Sequence, residues 1–162
     1  MMIAEYIKNV YLVSVRGKEA TLLTYDQGKS VDGFEPKRDY FTKTVNVDDP
    51  NLVSIYDPHF YVKYKDCIEE TELWLVDEIG LKDIENNEVI ITVSHDAKDE
   101  SWIQYDKGAA LKKININDCT EYLIEKKYIK QNGKLVKDIT EQTSVSPNVF
   151  IDSIVMNRRE NL

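Results

Sequence analysis

Runs of β-branched and aromatic residues near the start of the chain predict an opening β-hairpin. Residues 10–15 (Val-Tyr-Leu-Val-Ser-Val) and 20–25 (Ala-Thr-Leu-Leu-Thr-Tyr) are separated by Arg-Gly-Lys-Glu, a sequence suited to a tight turn. Residues 26–38 follow with two glycines, one proline and few apolar side chains. We expect a long loop there, because glycine and proline favour turns over regular elements.

Alternation of apolar and polar residues continues as far as residue 65. Residues 40–47 predict one strand. Two Asp-Pro pairs bracket a short strand at 52–56, because the residue before a proline is driven out of the helical region. Residues 60–65 alternate as a half-buried strand does, with every second side chain apolar and on one face: Phe60, Val62 and Tyr64.

The middle of the chain gives one ambiguous segment and one clear strand. Residues 69–79 suit a helix that stops at Gly80, and their Leu-Trp-Leu-Val run equally suits a strand, so both alternatives stay open. Residues 89–93 (Val-Ile-Ile-Thr-Val) predict a buried strand. We expect residues 102–105 to pair with it after a polar turn.

Helical signals are concentrated late in the chain. An Asn-Asp pair at 117–118 can cap a helix that continues at helical spacing to residue 129. The Asn-Gly pair at 132–133 either ends that helix or turns a hairpin. Ser-Pro at 146–147 combines a capping residue with a proline in the first turn, which predicts a C-terminal helix ending near residue 157.

Strands that cluster early, with helices falling late, predict an α+β fold. We expect a mainly antiparallel sheet of about six to seven strands, with two to three helices mostly in the C-terminal half. No linker or repeat interrupts the 162 residues, a length typical of one domain, so a single domain over 1–162 is predicted.

Composition indicates a folded cytoplasmic protein. Hydrophobic residues make up 42% of the chain and charged residues 31%, as in ordinary globular domains. The N-terminal residues do not form a signal peptide, and the sequence has no apolar run of the ~18 residues that span a membrane. Two cysteines, Cys67 and Cys119, are too few for a disulfide framework and indicate free thiols in a reducing compartment.

Charge is distributed very unevenly along the chain. Residues 66–100 contain 12 acidic and 2 basic residues, a net charge of −10, whereas the whole chain carries −8. Residues 107–137 then form a lysine-rich stretch. Acidic residues repel a polyanion, so duplex nucleic acid is not a favoured partner.

The leading functional hypothesis is a non-enzymatic, cytoplasmic binding protein. Dense carboxylates complement the lysines and arginines of a phosphate-binding cleft, as in inhibitor and immunity-type proteins. An inhibitor encoded by a phage or mobile element would fit the size and charge of this chain. We predict that the acidic 66–100 surface engages a basic protein partner, with five residues as the contact site: Glu69, Glu70, Glu72, Asp77 and Glu78. No catalytic residue, metal or cofactor is assigned.

Residues 55–65 support an alternative, the binding or sequestering of a small nucleotide or similar anion. Aromatic rings beside cations can stack on a base and attract phosphate. The candidate ligand-binding residues are Tyr56, His59, Tyr61, Lys63 and Lys65. A homo-oligomer would suit this function, because interfaces between subunits form pockets.

A third hypothesis is a small metal-dependent phosphohydrolase. The adjacent His95 and Asp96 supply the imidazole and carboxylate that such sites use, and His59 could join them. Gly28-Lys29-Ser30 resembles the end of a phosphate-binding loop, but the glycine that the motif requires five residues earlier is Leu23 here. The phosphate-loop interpretation is therefore rejected.

Overall fold

The structure is a computed structural model that describes residues 2–64, 74–77 and 81–158. Within these residues the chain forms twelve β-strands and two short α-helices, α1 (Leu81–Glu85) and α2 (Pro147–Arg158). The strands are β1 (Met2–Tyr6), β2 (Asn9–Arg16), β3 (Glu19–Thr24), β4 (Glu35–Pro36), β5 (Phe41–Asn46), β6 (Leu52–Tyr64), β7 (Trp74–Asp77), β8 (Glu88–Val93), β9 (Ile103–Asp106), β10 (Ala109–Asn115), β11 (Cys119–Gln131) and β12 (Lys134–Ser144).

The elements belong to two compact units. The first unit comprises Met1–Pro58 and Lys126–Glu141, and the second comprises His59–Glu125 and Gln142–Arg159. Strands β6, β11 and β12 each contribute residues to both units. A single domain over 1–162 stays a prediction.

The first unit is built on antiparallel strands in the order β4-β5-β3-β2-β1-β6. The opening hairpin is confirmed, since β2 and β3 pair up to Arg16 and Glu19 and Gly17 takes the positive φ (60°) that the turn requires. Alternate residues of each strand point to one face of this sheet and form its core. The buried core residues include Ala4, Tyr6, Val13, Leu22, Val45 and Ile55.

A buried lysine holds the turn between β5 and β6 in this unit. The side chain of Lys130 is 1% exposed. Its Nζ donates hydrogen bonds to the carbonyl oxygens of Val47 (2.7 Å) and Asp49 (3.0 Å). A buried ammonium group is costly unless such acceptors surround it, so this lysine is part of the interior of the fold. Lys130 belongs to the lysine-rich stretch 107–137, and the sequence alone does not distinguish it from the exposed lysines there.

The second unit contains antiparallel strands in the order β6-β7-β8-β10-β9. Helix α2 packs against the core on this sheet through Phe150 and Ile154, which are 0% and 1% exposed. Ser146 caps the helix, since its Oγ accepts a hydrogen bond from Val149 N. The predicted C-terminal helix is therefore confirmed, as is the burial of alternate β6 residues: Phe60, Val62 and Tyr64.

The predicted fold class is wrong. The described residues contain twelve strands and two short helices, rather than six to seven strands and two to three helices. The predicted helix from 118 to 129 is the 13-residue strand β11, whose backbone is paired with β6 and β12. Asn132 (φ 51°) and Gly133 (φ 79°) turn this strand into β12, as the hairpin alternative required. Pairing on both edges outweighed a helix-like spacing of apolar residues.

Two further expectations about strands are corrected. β6 continues through Asp57-Pro58 instead of ending there. Its pairing with β1 stops at Tyr56 and its pairing with β7 begins at Tyr61, so Pro58 lies between the two paired stretches. A proline is tolerated where no ladder hydrogen bond is needed. β9 pairs with β10 and not with β8, since the unpredicted strand β10 lies between them. In the ambiguous segment 69–79, Trp74–Asp77 is a strand and the other residues lie outside the described ones.

Candidate functional site

Most of the predicted acidic contact site lies outside the described residues. Glu69, Glu70, Glu72 and Glu78 are among the residues that the structure does not describe. Asp77 is the last residue of β7 and pairs with Ile90 of β8. The contact site therefore stays a prediction, and the described acids of the same segment supply the structural observations.

Two of those acids are neutralised within the second unit. Lys113 Nζ lies 2.8 Å from Asp83 Oδ1 and 3.7 Å from Glu88 Oε2. The hydrogen bond and charge of Asp83 raise the pKa of Lys113. Four other acids of the segment have exposed side chains: Glu85, Asp96, Asp99 and Glu100.

Strand β9 is the last strand of its sheet, and its two large apolar side chains are exposed. One edge of β9 pairs with β10, and no other described strand pairs with its second edge. Ile103 is 62% exposed and Tyr105 is 56% exposed. The exposed acids Asp99 and Glu100 precede the strand, and the exposed Asp106 ends it. This combination of a strand edge without a described neighbouring strand, apolar side chains and carboxylates is named the β9 edge.

Hydrogen bonds hold the backbone on both sides of the β9 edge. Asp96 Oδ1 accepts hydrogen bonds from Gln104 Nε2 (2.7 Å) and from Gly108 N (2.7 Å). Gln104 Oε1 accepts one from Ala97 N (2.6 Å). The Asp99 carboxylate accepts hydrogen bonds from the hydroxyl and the backbone N–H of Ser101, which lower its pKa and keep it charged. The loop before β9 is therefore ordered around its own acids.

Aromatic side chains fix the start of β9. Trp102 is buried, and its ring centroid lies 5.7 Å from that of His95 in an edge-to-face contact. Lys112 Nζ lies 5.5 Å from the Trp102 ring centroid and 5.2 Å from that of Tyr64. These contacts place the lysine over two aromatic faces, a favourable cation–π arrangement. Lys112 is thus engaged inside the unit.

The metal-site hypothesis gains no support from these contacts. Asp96 Oδ1 accepts the two hydrogen bonds named above, and His95 Nδ1 lies 2.8 Å from the Asp96 carbonyl oxygen. His59 is half-buried in β6. The described part of the chain contains no group of three or more His, Cys, Asp or Glu side chains able to hold a metal ion. A phosphohydrolase stays an untested alternative.

The structure does not bring the aromatic and basic residues of 55–65 together as one anion site. Lys63 Nζ lies 2.7 Å from Glu121 Oε2, and Tyr61 OH lies 3.4 Å from Glu125 Oε1. Tyr56 belongs to the first unit, and Lys65 lies outside the described residues. Carboxylates beside the lysine and the phenol repel an anionic ligand, so nucleotide binding here stays a prediction without structural support.

The first unit contains a tyrosine cluster that the sequence analysis did not predict. The rings of Tyr56 and Tyr128 are 5.6 Å apart, and Lys126 Nζ lies 4.5 Å from the Tyr56 ring centroid. Ser54 Oγ donates a hydrogen bond to Glu5 Oε2 (2.8 Å). Burial, followed by the negative charge of Glu5, raises the pKa of Tyr56 to about 12. These residues of β1, β6 and β11 are far apart in sequence, and only the pairing of the three strands brings them together.

The raised pKa of Tyr56 gives a testable pH dependence. A tyrosine whose pKa is higher in the folded state than its ordinary value of 10.0 stabilises the fold below pH 10 and loses that contribution as pH rises towards about 12. The phenolate absorbance of the wild type and of Tyr56→Phe is measured as a function of pH, and the difference between the two curves reports Tyr56. We expect this difference to rise near pH 12. A step near pH 10 would contradict the burial of this hydroxyl.

Comparisons with known proteins supply no family. No protein-family model, no curated protein and no solved structure matches the chain. None of the helices in the described ranges is both long enough and apolar enough to span a membrane.

The buried thiol of Cys119 has a pKa raised to about 12 by burial, so it is not a reactive nucleophile at neutral pH.

Proposed function

We propose that this protein is a non-enzymatic, cytoplasmic binding protein of the inhibitor or immunity type, which engages a basic protein partner through the acidic 66–100 segment. One observation carries the proposal. The sequence ranges of the second unit, 59–125 and 142–159, hold 17 acidic and 9 basic residues, a net charge of −8. The rest of the chain holds 12 of each, a net charge of zero. The whole excess charge of the protein is therefore carried by one unit.

Three lysines of the second unit are engaged in contacts within it. Lys63 is paired with Glu121, Lys113 with Asp83 and Glu88, and Lys112 lies over two aromatic rings. Exposed acids such as Glu85, Asp99 and Glu100 belong to the same unit. A concentration of one sign of charge attracts an oppositely charged partner and accelerates its association.

The test compares two variants that change the same amount of charge at different places. The first variant replaces Glu69, Glu70, Asp77 and Glu78 by lysine. The second replaces four exposed acids of the first unit by lysine: Glu19, Asp32, Asp39 and Asp48. Each set of substitutions raises the net charge from −8 to zero, so a difference between the variants reports position rather than total charge.

We expect partners with high isoelectric points to be retained by the wild type and by the second variant, and to be lost by the first. Retention is measured by affinity purification and quantitative mass spectrometry, and should fall sharply in about 0.5 M salt, where the screening length is only a few ångströms. Identical partners for both variants would overturn the proposal.

A further inference from the structure

We infer that the basic partner contributes an extended segment, which pairs as an additional β-strand with the edge of β9 that no described strand occupies. The inference rests on the proposed function and identifies the structural class of its partner. An extended peptide that joins a sheet gains backbone hydrogen bonds, while its alternate side chains provide specificity. Lysine or arginine side chains on the added strand would meet the acids of the β9 edge.

The three strands that end the described pairings differ in how they are protected against pairing with another chain. β4 has two residues, one of which is Pro36. β12 carries Lys134 and Lys137, and Asp138 interrupts it with a positive φ of 57°. Proline, short length, lysine and local irregularity all discourage edge pairing. These two strands therefore carry the usual protective features of a sheet edge.

β9 is short as well, but its sequence Ile-Gln-Tyr-Asp contains neither proline nor lysine. Its Ile103 and Tyr105 are the two most exposed of the large apolar side chains in the described residues, at 62% and 56%. Exposed β-branched and aromatic side chains on a strand favour cross-strand pairing with a neighbour. Among these three strands, β9 is the one whose side chains favour a partner strand.

The backbone of the β9 edge is already ordered before a partner arrives. Gln104 and Asp96 connect β9 to the preceding loop through their side chains, and Trp102 N donates to Asp99 O at 3.2 Å. The buried Trp102 ring anchors the residue before the strand. Binding therefore needs little further loss of backbone freedom on this side, which favours affinity.

Charge selects a basic strand over a second copy of this chain. Residues 96–106 hold four acids and one lysine, a net charge of −3. Two copies paired through β9 would bring two such segments together, and like charges that face each other across strands are destabilising. A lysine- or arginine-containing strand instead neutralises the exposed Asp99, Glu100 and Asp106.

The test uses two synthetic peptides of about ten residues, long enough to cover a typical strand. One alternates lysine with valine and can form a strand. The other alternates lysine with proline, which keeps the charge but removes every second backbone N–H. Binding is measured by calorimetry in low salt, and hydrogen exchange of the β9 amides is followed by NMR.

We expect the lysine–valine peptide to bind at least about tenfold more tightly than the lysine–proline peptide, because proline removes backbone N–H groups that an added strand would donate. It should also slow exchange of β9 amides. Replacing both Ile103 and Tyr105 by lysine, or both by threonine, should abolish this preference. Leu135→Lys is the matched control, since Leu135 is 54% exposed on β12. This control should bind like the wild type.

The outcomes separate the inference from the proposed function. Equal binding of the two peptides, or unchanged binding by the Ile103 and Tyr105 variants, would overturn strand addition while leaving an acidic surface that binds basic chains. No binding of either peptide would overturn both. Dimerisation of the free protein through β9, detected by sedimentation, would replace the partner strand with a second copy and contradict the charge argument.

Discussion

Phe150→Ala is expected to destabilise the protein by about 3–5 kcal/mol, the usual cost of deleting a buried phenylalanine side chain. Phe150 is completely buried in the core of the second unit. Its ring centroid lies 5.9 Å from that of Phe60 in an edge-to-face contact and 5.5 Å from that of Tyr122. Removing the ring leaves a cavity between α2 and these residues. Urea denaturation followed by tryptophan fluorescence measures the loss.

Val149→Ala is the control for this change. Val149 is the preceding residue of the same helix, and its side chain is 49% exposed. We expect it to change the free energy of unfolding by less than about 0.5 kcal/mol, as surface substitutions usually do. Equal effects of the two substitutions would contradict the packing of α2 against the core through Phe150.

Lys130→Met is expected to cost about 1–3 kcal/mol in the free energy of unfolding. Methionine fills much the same volume but donates no hydrogen bond, so the Val47 carbonyl oxygen loses its lysine donor, while the Asp49 carbonyl oxygen keeps the hydrogen bond from Leu52 N (3.0 Å). Each buried polar group left without a partner costs about 1–3 kcal/mol. Urea denaturation followed by circular dichroism gives the value.

Lys127→Met tests whether loss of a charge alone explains the result. Lys127 lies on the same strand as Lys130, and its side chain is exposed. We expect almost no change in stability from this substitution. If Lys130→Met were equally mild, the turn between β5 and β6 would not depend on the buried ammonium group.

Local sequence patterns predicted elements whose partners are close in the chain. The opening hairpin depends on residues 10–25 alone, and the capped C-terminal helix depends on Ser146-Pro147 and an apolar face. Alternation along β6 also predicted which of its side chains are buried. In each case the signal and the structure it specifies lie within about twenty residues, where propensity and pattern are informative.

Elements that depend on distant partners were not predictable in the same way. β11 has apolar residues at a spacing that suits a helix, and only its pairing with β6 and β12 makes it a strand. β12 gives little signal because nearly all of its side chains are exposed on both faces. Without a buried face, a strand lacks the alternation that identifies it.

The candidate site also combines a feature that the sequence predicts with features that depend on distant partners. The acidic excess could be counted from the sequence, and its assignment to one compact unit adds position to that count. The β9 edge could not be anticipated, because its availability depends on β10 pairing with both β8 and β9. Lys130 was equally hidden, since burial of a lysine is decided by the carbonyl oxygens around it.

The hydrogen bonds of Lys130 also limit when the first unit can complete its folding during translation. Val47 precedes Lys130 by 83 residues, and a ribosome that adds about 5–20 residues per second needs roughly 4–17 s to cover that distance. During this interval the Val47 carbonyl oxygen lacks its lysine donor, whereas the Asp49 carbonyl oxygen can already accept the hydrogen bond from Leu52 N within the turn. Because residues 126–141 belong to the first unit, that unit can be completed only after residues 59–125 of the second unit have been made.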